Sequence, residues 1–325
     1  MELLIVFGLF GLAYGAVLQR SGFCMARAGF ELCLLRSREA LNGVMAGLLV
    51  ATLGFAAVGL LRTQAGLSPQ GHLLIIPFGL GTAVGATIFG LGMTLAGMCA
   101  AGTLQRLGEG YVIAWASLAG IVLGAGFDPF RALVPQSWQL QSSGVWLGGR
   151  LGEVTGAGAT LAVLLVSWLV IGGRAARKRR NLLTPTVYGG AALGLLSTLQ
   201  MAVQTPWTVA YPLGLIPPAM SGALSPRDLS QALPLLVLDG GMVLGALLAR
   251  TARERYRLRW PRRTREVATA LTGGILMGWG IQLARGCAIG GGFSAIPSLS
   301  ASGWIFLPCL FLGAWAGSRL VRILG

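Results

Sequence analysis

The chain has 325 residues, of which 54% are hydrophobic and only 11% are charged, and its mean hydropathy is +0.73. A soluble domain carries about a quarter charged residues, so the composition excludes a soluble protein and indicates a polytopic membrane protein. The formal net charge of +15 does not indicate a nucleic-acid partner, because 13 of the 25 basic residues lie in two short loops, 174–180 and 250–265.

Apolar runs long enough to cross a bilayer, about 20 residues each, recur along the whole chain. They predict an all-α polytopic membrane protein with about nine transmembrane helices, supplemented by short re-entrant helices. The N-terminal run lacks the basic segment and cleavage site of a signal peptide, so we expect it to remain as the first span. The predicted spans are 3–19, 40–61, 73–96, 111–128, 155–173, 184–204, 232–250, 266–284 and 303–321.

The basic loops predict the orientation of the chain, because loops rich in Lys and Arg stay in the cytoplasm. Counting spans from these loops places the N-terminus in the periplasm, the C-terminus in the cytoplasm and loop 129–154 in the periplasm. Four spans in 1–128 and four in 184–325 are then separated by a single span within 129–183. Since an odd number of connecting spans makes the second half enter the membrane from the opposite side, we expect that half to be an inverted repeat of the first.

One motif occurs in both halves. Residues 90–102, GLGMTLAGMCAAG, and 278–290, GWGIQLARGCAIG, share seven identical positions at a shift of 188, and residues 15–24, GAVLQRSGFC, are a weaker relative. Each is an apolar helix that runs into a glycine-flanked cysteine. Glycine beside cysteine weakens a helix and frees backbone polar groups, which membranes tolerate only beside a cavity or inside protein. Helices broken at matching points of two halves indicate a transport site.

A simpler interpretation is that the glycines only let helices pack closely, but a cysteine that recurs in register favours a site. The candidates are the framed cysteines Cys24, Cys99 and Cys287, which we expect to contact substrate. Possible supporting residues are Arg285, Gly97, Gly102, Gly286, Gly290 and Gly291. The corresponding break after 184–204 keeps Pro206 but has no thiol.

Of the other reactive residues, two cysteines are expected to be structural, and one acid has two possible roles. Cys33 and Cys309 lack the glycine frame, and we expect them to be ordinary small buried side chains. Asp239 is an acid within a span, and either a functional role or a role in packing near a helix break is consistent with the sequence.

Enzymatic functions are poorly supported by the residue content. The only lysine, Lys178, lies in a basic loop, so a nucleotide-binding P-loop is absent from the sequence. A single histidine, His72, and the lack of closely spaced cysteine pairs argue against a metal site, a Cys–His nucleophile and a dithiol oxidoreductase. We therefore expect no enzyme activity, cofactor or metal.

Three segments, GMCAAGTLQRLGEG, SGFCMARA and GCAIGGGFS, resemble the YeeE/YedE family of bacterial inner-membrane sulfur transporters, and the resemblance covers essentially the whole chain. It implies thiosulfate uptake into the cytoplasm, with the family's cysteines carried over as Cys24, Cys99 and Cys287. It also implies cooperation with a small cytoplasmic TusA-like sulfur-carrier protein. One branch of the family is linked to selenium metabolism, so a related selenium or sulfur compound is an alternative substrate.

The implied substrate suits the residues. Thiosulfate is a dianion with a soft terminal sulfur, and a neutral thiol is an uncharged, polarizable, weak donor, whereas a thiolate would repel the ion. Three weak contacts in series allow passage without a deep trap, and the sequence shows no evident ion-coupling site. Two alternatives of other classes are a thiol-redox membrane enzyme and an accessory subunit in which the glycines serve packing alone.

Overall fold

The computed structural model describes residues 2–32, 37–66, 79–126, 145–176, 184–203, 207–220, 226–253 and 256–324. In these ranges it contains thirteen α-helices and a seven-residue π-helical segment. In chain order the elements are α1 (Glu2–Ser21), α2 (Met25–Phe30), α3 (Glu39–Gln64), α4 (Leu80–Ala96), α5 (Ala100–Gly108), α6 (Ile113–Gly126), α7 (Leu147–Leu151), α8 (Glu153–Ala176), α9 (Pro185–Val203), α10 (Ala210–Met220), α11 (Pro226–Thr251), α12 (Thr264–Ala284), the π segment (Ala288–Ser294) and α13 (Ala301–Leu324).

The helices agree with the predicted spans. Seven helical stretches among the described residues are long and apolar enough to cross a membrane, and two shorter apolar helices lie at the predicted fourth and fifth spans. The prediction of an all-α, multi-pass membrane protein is therefore confirmed. Three short elements, α2, α5 and the π segment, follow the three framed cysteines. Cys33, Pro206 and the expected start of the third span at residue 73 lie outside the described residues.

The packing of the first half is repeated in the second. Helix α1 packs along α11, and their counterparts α9 and α3 pack along each other. Likewise α4 packs along α13, and α12 packs along α6. Helices α4 and α12 are themselves counterparts, and they contact each other at the centre of the molecule.

Glycines at the α4–α12 contact define how the halves are related. A Cβ atom built on Gly85 would lie 2.6 Å from the backbone nitrogen of Ala284, and one built on Gly273 would lie 2.6 Å from that of Ala96. A shift of 188 residues converts one contact into the other. Because the start of α4 meets the end of α12, the two helices are antiparallel and the pseudo-two-fold axis lies across them. An inverted second half would require this antiparallel pairing of counterpart helices.

The two ends of the helical bundle are distinguished by charge. The loop between α11 and α12 carries Arg257, Arg259, Arg262 and Arg263, and we call its end of the bundle the basic face. The link between α5 and α6 is bonded to this loop: the Arg259 N–H donates to the Gly110 carbonyl over 2.9 Å, and the Val112 N–H donates to the Arg259 carbonyl over 3.1 Å. Helix α5 therefore leads from Cys99 to the basic face.

The chain after Cys287 leads the other way. Helix α12 begins beside the basic loop and runs away from it. Beyond the π segment, the Leu299 carbonyl accepts from the Leu147 N–H over 2.9 Å, and the Ala301 N–H donates to the Val145 carbonyl over 3.0 Å. This link lies at the start of α13, which runs parallel to α4 and antiparallel to α12. The two framed cysteines with the strongest sequence match are therefore followed by segments that lead to opposite faces.

Candidate functional site

Each of the three framed cysteines lies at a helix break. Cys24, Cys99 and Cys287 have extended backbone conformations and immediately precede α2, α5 and the π segment, respectively. The Sγ atom of Cys99 accepts from the Gly102 N–H over 3.4 Å, and that of Cys287 accepts from the Gly290 N–H over 3.5 Å. The sequence repeat is thus also a repeat in local structure, in which each of these two sulfur atoms caps the helical segment after it.

The structure places Cys24 and Cys99 next to the same glycine, Gly102, and Cys287 interacts electrostatically with Cys99 from the other half. A Cβ atom built on Gly102 would lie 3.6 Å from Sγ of Cys99 and 3.7 Å from Sγ of Cys24. Cys99 and Cys287 are only 3% and 1% exposed, while Cys24 is partly exposed. The arrangement places three polarizable sulfur atoms, contributed by both half-molecules, at the helix breaks.

Arg285 occupies a backbone position that its counterpart fills with glycine. Gly97 ends α4 with φ 69°, and Arg285 ends α12 with φ 51°, at the equivalent position 188 residues later. Both residues are exposed and lie two residues before a buried cysteine. Left-handed backbone costs a non-glycine residue about 1–2 kcal/mol, and such strain is concentrated at functional sites. The conformation presents a positive charge at the surface beside Cys287.

The remaining predicted glycines differ in their surroundings. Gly286 forms the half-buried link between Arg285 and Cys287. A Cβ atom built on Gly290 would lie 3.4 Å from Cβ of Thr208, which is an ordinary contact distance. A Cβ atom on Gly291 would lie 2.8 Å from the ring of Phe306, which is a clash. Gly291 therefore allows close packing of the π segment against α13.

Sequence reasoning missed an aromatic cluster beside Cys287. The rings of Tyr14 and Trp207 stack with centroids 4.1 Å apart, and Trp207 meets Phe293 edge-on at 6.0 Å. The hydroxyl of Ser294 donates to the Trp207 carbonyl over 2.7 Å. These contacts hold the link between α9 and α10 against the π segment. The position of Trp207, directly after Pro206 at the thiol-free break, is the signal that could have indicated it.

Two other candidates do not lie at a helix break. Cys309 lies within α13, where it is partly exposed and packs against the hydrophobic core, rather than being fully buried as expected. Asp239 is 4% exposed on the same stripe of α11 as Leu235 and Met242, and neither carboxylate oxygen has a hydrogen-bond partner in the described part of the chain. The same residues contain no group of three His, Cys, Asp or Glu side chains arranged to hold a metal ion.

Comparison with known proteins decides the family. The family model described as sulphur transport matches residues 20–316, which include all three helix breaks. The chain belongs to the sulphur transport family. Relatives of this chain include two proteins named thiosulfate transporter TsuA. That of Escherichia coli K12 is 28% identical over 96% of this chain and 93% of its own length, and that of Spirochaeta thermophila is 29% identical over 94% of this chain and 96% of its own length.

A shorter stretch of this chain is similar to proteins that carry a second name. The protein named probable transporter YedE of Escherichia coli K12 is 36% identical over 94 residues, which are 28% of this chain and 23% of that protein. All of these relatives are named as transporters, and none of the names describes an enzyme.

Proposed function

We propose that the protein carries thiosulfate across the bacterial inner membrane into the cytoplasm, by passing the anion between the neutral thiols of Cys287, Cys99 and Cys24. The observation that carries this proposal is that both halves contribute a cysteine at a helix break: Cys24 and Cys99 lie beside the same glycine, Gly102, and Cys287 interacts electrostatically with Cys99. The names of the two full-length relatives support thiosulfate as the anion. In this proposal the functional units are an inverted pair of halves, 1–128 and 184–325, joined by 129–183.

The direction of the relay depends on the two faces. We place the basic face in the cytoplasm by the positive-inside rule, with the N-terminus periplasmic and the C-terminus cytoplasmic. The segment after Cys287 leads to the opposite face, so the anion meets this cysteine first, with the charge of Arg285 nearby. It then passes to Cys99 and Cys24, and helix α5 after Cys99 leads to the basic face.

The chemistry of each step is noncovalent exchange of contacts. Thiosulfate presents a soft sulfur atom and three oxygen atoms, and a thiol offers it a weak S–H donor without a repelling charge. Because each contact is weak, the anion leaves one thiol for the next without a deep trap. Sulfate, which has only hard oxygen atoms, gains less from the thiols, and this difference supplies selectivity.

The test is growth of a bacterium that lacks its other sulfate and thiosulfate uptake systems, with thiosulfate as sole sulfur source. The wild-type gene should restore growth, whereas Cys99→Ala and Cys287→Ala should not, at equal amounts of membrane protein. Cys24→Ala should have a milder effect because its glycine frame is looser. Cys309→Ala is the matched control, since this cysteine lies within α13 and not at a helix break, and it should grow like wild type. Growth of both Cys99→Ala and Cys287→Ala at the wild-type rate would refute the relay.

A second function is favoured by one observation, the closeness of Cys24 and Cys99, whose sulfur atoms both lie within 3.7 Å of a Cβ atom built on Gly102. A thiol-redox membrane enzyme would convert this pair to a disulfide during turnover. Mass spectrometry of the protein under non-reducing conditions, after exposure to thiosulfate, distinguishes the two. The relay requires free thiols throughout, whereas a disulfide between the two residues supports the redox enzyme. Competition of labelled thiosulfate uptake by selenium analogues tests whether a selenium compound is the preferred substrate.

We further propose that a TusA-like sulfur carrier docks on the basic face. The α11–α12 loop there exposes Trp260 and Leu258 between arginines, and backbone hydrogen bonds join it to the link between α5 and α6. Delivered sulfur would therefore leave beside this loop. Exposed arginine and aromatic side chains are enriched at protein interfaces. Trp260→Ala should weaken co-purification of a TusA-like protein while leaving the amount of membrane protein unchanged; unaltered co-purification would contradict this docking surface.

A further inference from the structure

The inverted repeat provides four helix breaks, and only three of them carry a thiol. The fourth is the link between α9 and α10, which corresponds to the link with Cys24 in the first half. The described part of this link is Trp207–Val209, and Trp207 and Val209 are buried apolar side chains. Thr208 lies between them and carries a hydroxyl. Its surroundings can be compared directly with those of Cys24.

Equivalent glycines locate Thr208 in the repeat. Gly102 and Gly290 are counterparts at the 188-residue shift, and each donates its N–H to the sulfur of its own cysteine. On its other side Gly102 faces Cys24: a Cβ atom built there would lie 3.7 Å from Sγ. The same construction on Gly290 meets Thr208, at 3.4 Å from Cβ and 3.9 Å from Cγ2. Thr208 therefore lies beside Gly290, whose N–H meets the Cys287 sulfur, as Cys24 lies beside Gly102, whose N–H meets the Cys99 sulfur.

The hydroxyl of Thr208 lacks a protein partner. Its Oγ1 atom is buried and makes no hydrogen bond to any residue that the structure describes. A buried hydroxyl without a partner costs free energy, so native structures rarely keep one without a reason. The backbone next to it is held in place, because the Trp207 carbonyl accepts from Ser294 and the Trp207 ring stacks on Tyr14. Thr208 is therefore held in place next to Gly290, and its hydroxyl is a buried donor that no described residue engages.

We propose that Thr208 is a fourth substrate-contacting residue, which donates a hydrogen bond to an oxygen atom of the anion while the anion lies beside Cys287. This inference rests on the proposed transport function. A hydroxyl is a stronger donor to oxygen than a thiol, so the entry side of the relay recognises the sulfonate-like end of thiosulfate while Cys287 contacts the soft sulfur. The pair Thr208 and Cys287 then selects a sulfur oxyanion, and the pair Cys24 and Cys99 passes it on.

The experiment compares substitutions at this position by initial rates of labelled thiosulfate uptake. Thr208→Val keeps the shape and removes the donor, so its KM should rise at least fivefold. Thr208→Ser keeps the donor and should stay within twofold of the wild-type KM. The matched control is Thr52→Val: the Thr52 hydroxyl is fully buried but already donates to the Leu48 carbonyl of its own helix over 2.7 Å, so uptake should not change. A wild-type KM in Thr208→Val would overturn the proposal.

Thr208→Cys provides a measurement that does not require the valine variant to fold. It completes the set of four thiols, and the introduced thiol should react with a small membrane-impermeant reagent added from the periplasmic side more slowly when thiosulfate is present. Equal rates with and without thiosulfate, or no reaction, would also overturn the proposal. Cys287→Ala is measured in parallel. If that variant transports normally, the relay itself fails; if it is inactive while Thr208→Val is normal, only the role of Thr208 fails.

Discussion

Gly102 offers the sharpest test of whether the space between Cys24 and Cys99 is part of the transport path. In Gly102→Ala the new methyl group would lie 3.6 Å and 3.7 Å from the two sulfur atoms, which are ordinary van der Waals distances. The substitution therefore requires no rearrangement. Because Gly102 is within α5, alanine should raise helix stability by up to about 1 kcal/mol. The folded protein is thus expected to be as stable as wild type or slightly more stable.

Transport should respond in the opposite direction. The methyl group fills the gap beside both thiols, through which the anion must pass in the proposed relay. An increase of about 1.4 kcal/mol or more in the barrier corresponds to a tenfold or greater fall in uptake rate. The assay is initial uptake of labelled thiosulfate, normalised to membrane protein, together with the melting temperature of the purified protein. Normal uptake in a folded Gly102→Ala variant would refute the assignment of this gap to the path.

Two glycines serve as controls for the same substitution. A Cβ atom on Gly240, in α11, meets nothing within 4 Å, so Gly240→Ala should gain helix stability and keep normal uptake. A Cβ atom on Gly291 would lie 2.8 Å from the Phe306 ring, so Gly291→Ala should be destabilised by about 1–3 kcal/mol through overpacking. The three variants together separate a blocked path from a lost fold.

The remaining predictions concern charge, access and orientation. Arg285→Gly should relieve about 1 kcal/mol of left-handed backbone strain yet raise the KM for thiosulfate, because the exposed charge near the entry is lost. An unchanged KM in this variant would show that Arg285 does not contribute to substrate binding. If a bulky membrane-impermeant thiol reagent added from the periplasm labels one of the three framed cysteines, that residue should be Cys287. Thiosulfate should slow the reaction. Labelling of Cys99 or Cys24 from that side, with Cys287 spared, would reverse the proposed direction. A tag fused after Gly325 should be inaccessible to protease in intact spheroplasts and accessible in inverted vesicles, and the opposite result would overturn the cytoplasmic C-terminus.

The sequence was sufficient to predict most of the architecture, for physical reasons. Apolar runs of membrane length define helices almost independently of tertiary context, so each of the nine predicted spans overlaps a helix in the part of the chain that the structure describes. The 188-residue repeat also predicted which residues are structurally equivalent. The left-handed backbone of Arg285 was implicit in that repeat, because its partner Gly97 directly precedes a helix break and glycine is the usual residue at such an end.

The neighbours of the cysteines could not be predicted from the repeat. Thr208 and Trp207 lie after a break whose sequence has lost both the thiol and the glycine frame, so no alignment with 15–24 assigns them a place. The stack of Tyr14 on Trp207 joins residues far apart in sequence, on α1 and after α9, and depends on how these two helices approach each other. Such contacts are set by packing in three dimensions rather than by local pattern.

The glycine contacts between α4 and α12 have a consequence for the origin of the fold. Gly85 meets Ala284 by the same geometry as Gly273 meets Ala96, so the surface is self-complementary, as in an isologous dimer interface. A single half of this chain, inserted into the membrane in both orientations, would present that surface to its own inverted copy and could pair through it. A fused descendant needs only one additional span between the copies to fix one orientation for each. Once fused, each copy is free to change separately, so one half can carry Cys24 where the other carries Thr208.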